Sequence, residues 1–320
     1  MVEKNKYIFK SLKNDWVSKD ENSIDKFEIS FSKLNNKMNS KKTQIPHPFL
    51  KWAGGKRQLI PQMKNYFPKE FRKYIEPFVG GGAVFFALYR KGLINKGGIL
   101  IDKNKELINC YNVIKYKISE LIDSLKNHKN EREYYYEVRN LDRNPQIYNN
   151  LSDVEKASRT IYLNKCCYNG LYRVNSKGQF NVPFGKYKNP NYCDEENLKA
   201  VSSSLKQVEI YYNSFEICLI YAKSGDFIYF DPPYFPISST SYFTSYTKED
   251  FGLKYQKKLS EVYKELDNRG CKLMLSNSYS NFILDLYMNY NKVVIEAKRA
   301  INCDASKRGK IKEILILNHP

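Results

Sequence analysis

The sequence predicts an α/β fold, a mostly parallel sheet whose strands are joined by helices, with a second domain inserted between the second and third strands. Three observations predict it. From Pro46 onward, apolar runs of strand length alternate with longer helix-like runs, the pattern of helices covering a sheet. A glycine turn, Gly80-Gly81-Gly82, ends the first strand-like run and leads directly into a helical one. The alternation then stops between about Glu131 and Leu205, where a helical run is followed by a Gly- and Asn-rich stretch.

Taken in order, residues 1–44 are polar, rich in Lys, Asn and Ser, with a broken apolar pattern around Ile24, Phe27, Ile29, Phe31 and Leu34; they read as an extension, partly helical at most. Strands are predicted over 74–78, 98–102, 208–212, 226–231, 272–277, 292–296 and 313–318, and helices over 83–90, 105–125, 248–268 and 281–287. The interruption, 129–205, holds a helix over 153–168 and divides the main domain into 45–128 and 206–320. No internal repeat is present.

The formal net charge of +19, from 53 basic against 34 acidic residues, points to a polyanionic partner, because Lys and Arg release counterions from a nucleic-acid backbone. AT-rich coding produces the same Lys, Asn, Ile and Tyr bias, so charge points to nucleic acid without establishing it. The seven Cys form no C-x-x-C pair, and His47, His128 and His319 lie far apart, so no metal or redox spacing appears and reduced cysteines of a cytoplasm are expected. No stretch approaches the roughly 18 apolar residues of a membrane span, and residues 1–10 lack a signal-peptide core. The expectation is a soluble, cytoplasmic protein with no membrane partner.

The run from Tyr74 through Gly82 to Phe86 reads as strand, glycine turn, helix. Glycine is needed where the backbone approaches a ligand closely or adopts positive φ, and the helix that follows presents free N–H groups. No G-x-x-x-x-G-K-[S/T] follows, which excludes a P-loop. Asp102 ends the next strand, about 20 residues past Gly82, where a carboxylate takes the ribose hydroxyls of an adenosine-containing cofactor. This half alone does not separate NAD from S-adenosylmethionine. Upstream, Phe49-Leu50-Lys51-Trp52-Ala53-Gly54-Gly55-Lys56 offers Trp52 to pack on a cofactor and Lys56 to meet its carboxylate, or else a Trp plugging the core edge.

The apolar strand over 226–231 ends in Asp231-Pro232-Pro233-Tyr234, at the edge of the sheet where α/β folds keep their ligands. Prolines make a rigid turn and have no N–H to donate. A planar amino group such as that of adenine is a poor nucleophile, because its lone pair is delocalised into the ring. Two acceptors, the Asp231 carboxylate and the Pro232 carbonyl, would take its two N–H bonds and turn the lone pair outward, while Tyr234 stacks on the base.

With these residues in place, the chain resembles the alpha-group adenine-N6 DNA methyltransferases of the Dam and DpnII-methylase type, over about residues 46–318. The Lys51-Trp-Ala-Gly-Gly-Lys56 run, the Phe78-Val-Gly-Gly-Gly82 turn, Tyr168-Asn-Gly-Leu-Tyr-Arg173, Phe180-Asn-Val-Pro-Phe-Gly185 and Asp231-Pro-Pro-Tyr234 carry the resemblance. It implies a Rossmann-like S-adenosylmethionine-dependent methyltransferase sheet with an inserted helical and β-hairpin DNA-recognition domain. It also implies that Trp52, Lys56, Asp102 and Asp231 contact S-adenosylmethionine, with Phe78, Gly80 and Gly82 of the turn as further cofactor-binding candidates and no metal required. Asp231, Pro232 and Tyr234 are the catalytic candidates.

Within the insert, residues 163–188 suggest a helix leading into a hairpin that suits the major groove, with Arg173 matched to guanine, lysines to phosphates and tyrosines to stacking. Tyr168 could fill the space left by an extruded adenine. GATC-reading members of the family carry the same Asn-Gly-Leu-x-Arg and Asn-Val-Pro-Phe-Gly pair, which implies that Arg173 reads a guanine and that double-stranded GATC is the target. The DNA-binding candidates are Lys51, Tyr168, Asn169, Leu171, Arg173, Pro183, Lys186 and Tyr187; Tyr172, and Lys rather than Arg at 186, depart from the family's pattern. The 235–246 loop is expected to close over the flipped base, and the basic segments 298–301 and 306–310 to touch phosphate. A cytosine-C5 enzyme would need a Pro-Cys nucleophile, which is absent. A non-catalytic DNA binder on the same scaffold, or an amino methyltransferase acting on RNA, are the alternatives, and a monomer is expected.

Overall fold

Strand-like runs become strands here by sharing two apolar faces. A computed structural model of the chain describes residues 44–236, 251–298 and 310–319; the N-terminal extension up to residue 43, residues 237–246 of the expected closing loop, and 299–309 of the basic segments lie outside the described residues. The strands are β1 (Tyr74–Glu76), β2 (Gly98–Asp102), β3 (Val208–Tyr212), β4 (Phe227–Phe230), β5 (Lys272–Ser278), β6 (Asn291–Lys298) and β7 (Lys310–Leu317). They form one sheet in the order β3-β2-β1-β4-β5-β7-β6. The first five run parallel, Tyr74 standing opposite both Gly98 and Phe227, and β7 lies antiparallel to both of its neighbours. This is a Rossmann-like sheet.

The helices are α1 (Ile60–Met63), α2 (Ala83–Arg90), α3 (Lys105–Tyr116), α4 (Ile118–Lys126), α5 (Arg132–Asn140), α6 (Pro145–Asn150), α7 (Asp153–Cys166), α8 (Glu195–Ser204), α9 (Cys218–Tyr221), α10 (Leu253–Asn268) and α11 (Asn281–Leu286). Successive strand residues point to opposite faces. In β4, Phe227 and Tyr229 join the core under α2, α3, α4, α7 and α8, while Ile228 and Phe230 join the core under α9, α10 and α11. Helices on both faces explain why the central strands are continuous apolar runs.

The run 105–125, predicted as one helix, is two. Asn104 caps α3 by accepting from the Leu107 N–H at 2.9 Å. The chain leaves helical geometry at Lys117 (φ −134°, ψ 40°), whose ammonium pairs with Asp153 at the start of α7. That helix opens with a capping box, Ser152 Oγ accepting from the Glu155 N–H and Glu155 from the Ser152 N–H.

Beyond α7 comes one 3-10 turn, Tyr168–Gly170, and then a chain that doubles back antiparallel. It pairs only at the isolated bridges Cys167 with Phe184 and Val174 with Phe180, so the expected hairpin is present as a folded-back loop rather than a ladder. Its tip is closed by the Asn175 side chain, which accepts from the N–H groups of Lys177 and Gln179. Tyr135, Tyr162, Phe180 and Val182 bury a small core of their own beneath it.

Candidate active site

Strand order reverses at β1, which has β2 on one side and β4 on the other, and ligands of open α/β sheets bind where that reversal opens a crevice. A cleft of about 710 Å³ opens there, lined by Trp52, Lys56, Glu76, Phe78, Gly80, Asp102, Asp231, Pro232, Tyr234 and Glu313, among others. Most cofactor-binding and all catalytic candidates read from the sequence therefore meet in one place.

The turn after β1 needs its glycines. Gly80 and Gly82 both have positive φ, 47° and 70°. A Cβ at Gly80 would come within 2.8 Å of the Trp52 ring, and one at Gly82 within 2.6 Å of the Tyr111 hydroxyl, which itself donates to the Gly80 carbonyl. Gly82 thus supports the turn from beneath α2, while Gly80 lies against Trp52. Asp102 accepts from the Gly80 N–H at 3.1 Å and from the Asn104 N–H at 2.9 Å. Burial pushes its carboxyl above the ordinary range, and these backbone donors act in the opposite direction. Phe78 stacks on Phe215, with ring centroids 5.5 Å apart.

The chemical side of the cleft starts at the end of β4. Lys56 Nζ lies 2.7 Å from Asp231 Oδ1, donates to the Gly54 carbonyl and sits 4.7 Å from the centre of the Tyr234 ring. Burial pushes the Asp231 carboxyl up to about 6; Lys56 pulls it down and Glu313 adds to the rise. The Tyr234 hydroxyl donates to Glu313 at 2.6 Å. Beneath the prolines, Gln256 donates to the Pro233 carbonyl and accepts from Asn277, whose side-chain oxygen accepts from the Phe235 N–H. Among the described residues none donates to the Pro232 carbonyl. Gln256, Asn277, Glu76 and Glu313 are site residues that the sequence pattern does not single out. Glu76 is 2 % exposed and burial holds its carboxyl well above the usual range; its Oε2 makes no well-aligned hydrogen bond.

The nucleic-acid candidates gather on a second surface. The Tyr168 N–H donates to the Pro183 carbonyl at 2.8 Å, which joins the 168–173 and 183–187 stretches, and Lys51 Nζ lies 5.8 Å from the centre of the Tyr187 ring. Tyr168 is 57 % exposed. Asn169 and Lys186 are the two non-glycine residues with positive φ among the described residues, so both stretches carry backbone strain of the kind found at binding sites. Arg173 is exposed, and its guanidinium donates to the Asn181 side chain at 2.7 Å and to the Asn181 carbonyl. Leu171 is half-buried against the small core of the insert.

The two surfaces are joined through the 49–56 loop. Asn164, fully buried on α7, accepts from the Lys51 N–H and donates to the carbonyls of Lys51 and Gly170. Trp52 stacks on Tyr172, with centroids 4.8 Å apart. Among the described residues no helix is long and apolar enough to cross a membrane, and no group of three or more His, Cys, Asp or Glu could hold a metal ion.

Residues 52–301 match the model of a family described as D12 class N6 adenine-specific DNA methyltransferase. The type II methyltransferase M.MjaIII of Methanocaldococcus jannaschii is 49% identical over 288 residues, covering 85% of this chain and 99% of that protein. The type II methyltransferase M1.LlaDCHI of Lactococcus lactis subsp. cremoris is 46% identical, covering 85% and 95%. The DNA adenine methylase of Escherichia coli K12 is 34% identical, again covering 85% and 95%.

Proposed function

The chain belongs to the D12 class of N6 adenine-specific DNA methyltransferases, and from that premise we propose that it takes its methyl group from S-adenosylmethionine and delivers it to the adenine of GATC in duplex DNA. The observation that carries this reading is the meeting of Asp231, Lys56 and Tyr234 with the glycine turn and Asp102 in one cleft. When bound, S-adenosylmethionine supplies a methyl group made electrophilic by its sulfonium. The residues present fit it. Asp102 is oriented by two backbone N–H groups and keeps lone pairs for ribose hydroxyls. Gly80 leaves the backbone bare beside Trp52, and the unsatisfied Glu76 oxygen offers an acceptor to an ammonium group.

The chain's own chemistry is the orientation of a nitrogen. The Asp231 carboxylate and the Pro232 carbonyl accept the two N–H bonds of the adenine amino group, which turns its lone pair toward the methyl. Gln256 occupies the Pro233 carbonyl, which supports this division of labour between the two prolines. Tyr234 offers its ring for stacking. Lys56 favours the charged form of Asp231, and a carboxyl tuned to about 6 can accept the proton that N6 sheds.

Such chemistry requires the adenine to leave the helix, and the exposed Tyr168 is placed to fill the gap. Arg173, its fork held by Asn181, reads a guanine. Lys51, Asn169, Leu171, Pro183, Lys186 and Tyr187 complete the DNA contact. The test is transfer of labelled methyl from S-adenosylmethionine to a GATC duplex and to a scrambled one. Transfer to the first alone is expected; no transfer to DNA at any salt concentration would sink the donor reading, and equal transfer to both would sink GATC.

A further inference from the structure

Glu313 stands where core packing asks for an apolar residue. Along β7, Leu315 and Leu317 join the core on one face of the sheet, and Ile314 and Ile316 join the core on the other. By the two-residue period of a strand, Glu313 shares the face of Leu315 and Leu317. It is half-buried, pairs in register with Ser278 of β5 and Ile295 of β6, and lines the cleft that holds Asp231. Among the described residues no Lys, Arg or His forms an ion pair with it. A carboxylate placed so is costly unless a hydrogen bond compensates, and the bond it makes is to the Tyr234 hydroxyl, at 2.6 Å.

The neighbours of Tyr234 act on three different parts of it. The backbone on either side of it is held by Gln256 at the Pro233 carbonyl and by Asn277 at the Phe235 N–H. Lys56 lies over the ring. Among the described residues only Glu313 holds the hydroxyl, and a tyrosine ring fixed at its backbone end alone still swings about its side-chain bonds. We propose that Glu313 is a positioning residue for methyl transfer: by holding the Tyr234 hydroxyl it sets the plane of the ring on which the target adenine stacks, and so the approach of the amino group to Asp231. This rests on the reading of Tyr234 as the stacking residue.

The test compares Glu313→Ala, Glu313→Gln, Tyr234→Phe, Tyr234→Ala and the double variant Glu313→Ala with Tyr234→Phe. Single-turnover methylation of a GATC duplex and fluorescence of a duplex with 2-aminopurine at the target adenine are the readouts. Losing one hydrogen bond to a charged group amounts to about tenfold to a hundredfold. Glu313→Ala and Tyr234→Phe are each expected to slow methylation by about that factor and to change the 2-aminopurine signal equally, with DNA affinity kept within a few-fold. The double variant is expected to be no slower than either single one, and Glu313→Gln, whose amide oxygen still accepts, to retain most of the rate. Additive losses in the double variant, or wild-type rates in Tyr234→Phe, would overturn the proposal. Tyr234→Phe decides the question even if Glu313→Ala does not fold. Tyr234→Ala at the wild-type rate would instead overturn the stacking reading beneath it.

Discussion

Asp231 lies between opposing influences, and its chemistry follows from their balance. Burial and the nearby Glu313 carboxylate favour the protonated form, and Lys56 at 2.7 Å favours the charged one; the outcome is a carboxyl near 6. Only the charged carboxylate can take up the proton that N6 sheds, so kcat/KM is expected to fall about tenfold per pH unit below about 6. Removing the ammonium in Lys56→Gln takes away the influence that lowers this pKa, so the acid limb must move to higher pH. A pH profile of kcat/KM for both proteins checks the sign. An acid limb that stays in place, or moves down, would show that the limb does not belong to Asp231.

At the scale of elements, the 49–56 loop is the part that joins the proposed cofactor cleft to the proposed target-reading segment. Its backbone at Lys51 is held by one buried side chain, Asn164. Truncating Asn164 to Ala leaves the Lys51 N–H and the carbonyls of Lys51 and Gly170 without their partner, so a loss of about 3 kcal/mol is expected in denaturant unfolding; a loss under about 1 kcal/mol would contradict this account of the loop. Asn164 is also an example of what the sequence conceals. Within α7 it is one polar residue in a helical run, and the Lys51 backbone groups that it bonds are 113 residues away. Gln256 and Asn277 are concealed in the same way, each buried to serve backbone from a distant segment. Glu313 reads as the polar start of a strand, because its partner lies across the cleft. By contrast, β2, β3 and α2 begin and end where their apolar pattern does, since the period of side chains is a local property. The glycine turn and Asp231-Pro-Pro-Tyr234 were legible because each rests on a local constraint, positive φ or the absence of an N–H. The break at Lys117 and the loop-like form of the insert were not, because both depend on packing against distant elements.

For the whole molecule, the architecture brings a basic chain of net charge +19 to a polyanion and sets an acceptor cleft at the reversal point of its sheet. In the proposed function the charge supplies affinity that is blind to sequence, and the cleft and the folded-back loop around Arg173 supply the choice of base and site. The most direct test of this account is sequencing of the DNA of a host that lacks adenine methylation and expresses this chain. The account predicts N6-methyladenine at GATC and unmodified adenine elsewhere, with no methylation when Asp231→Ala is expressed instead. Methyl groups on cytosine, at adenines outside GATC, or surviving in Asp231→Ala would contradict it.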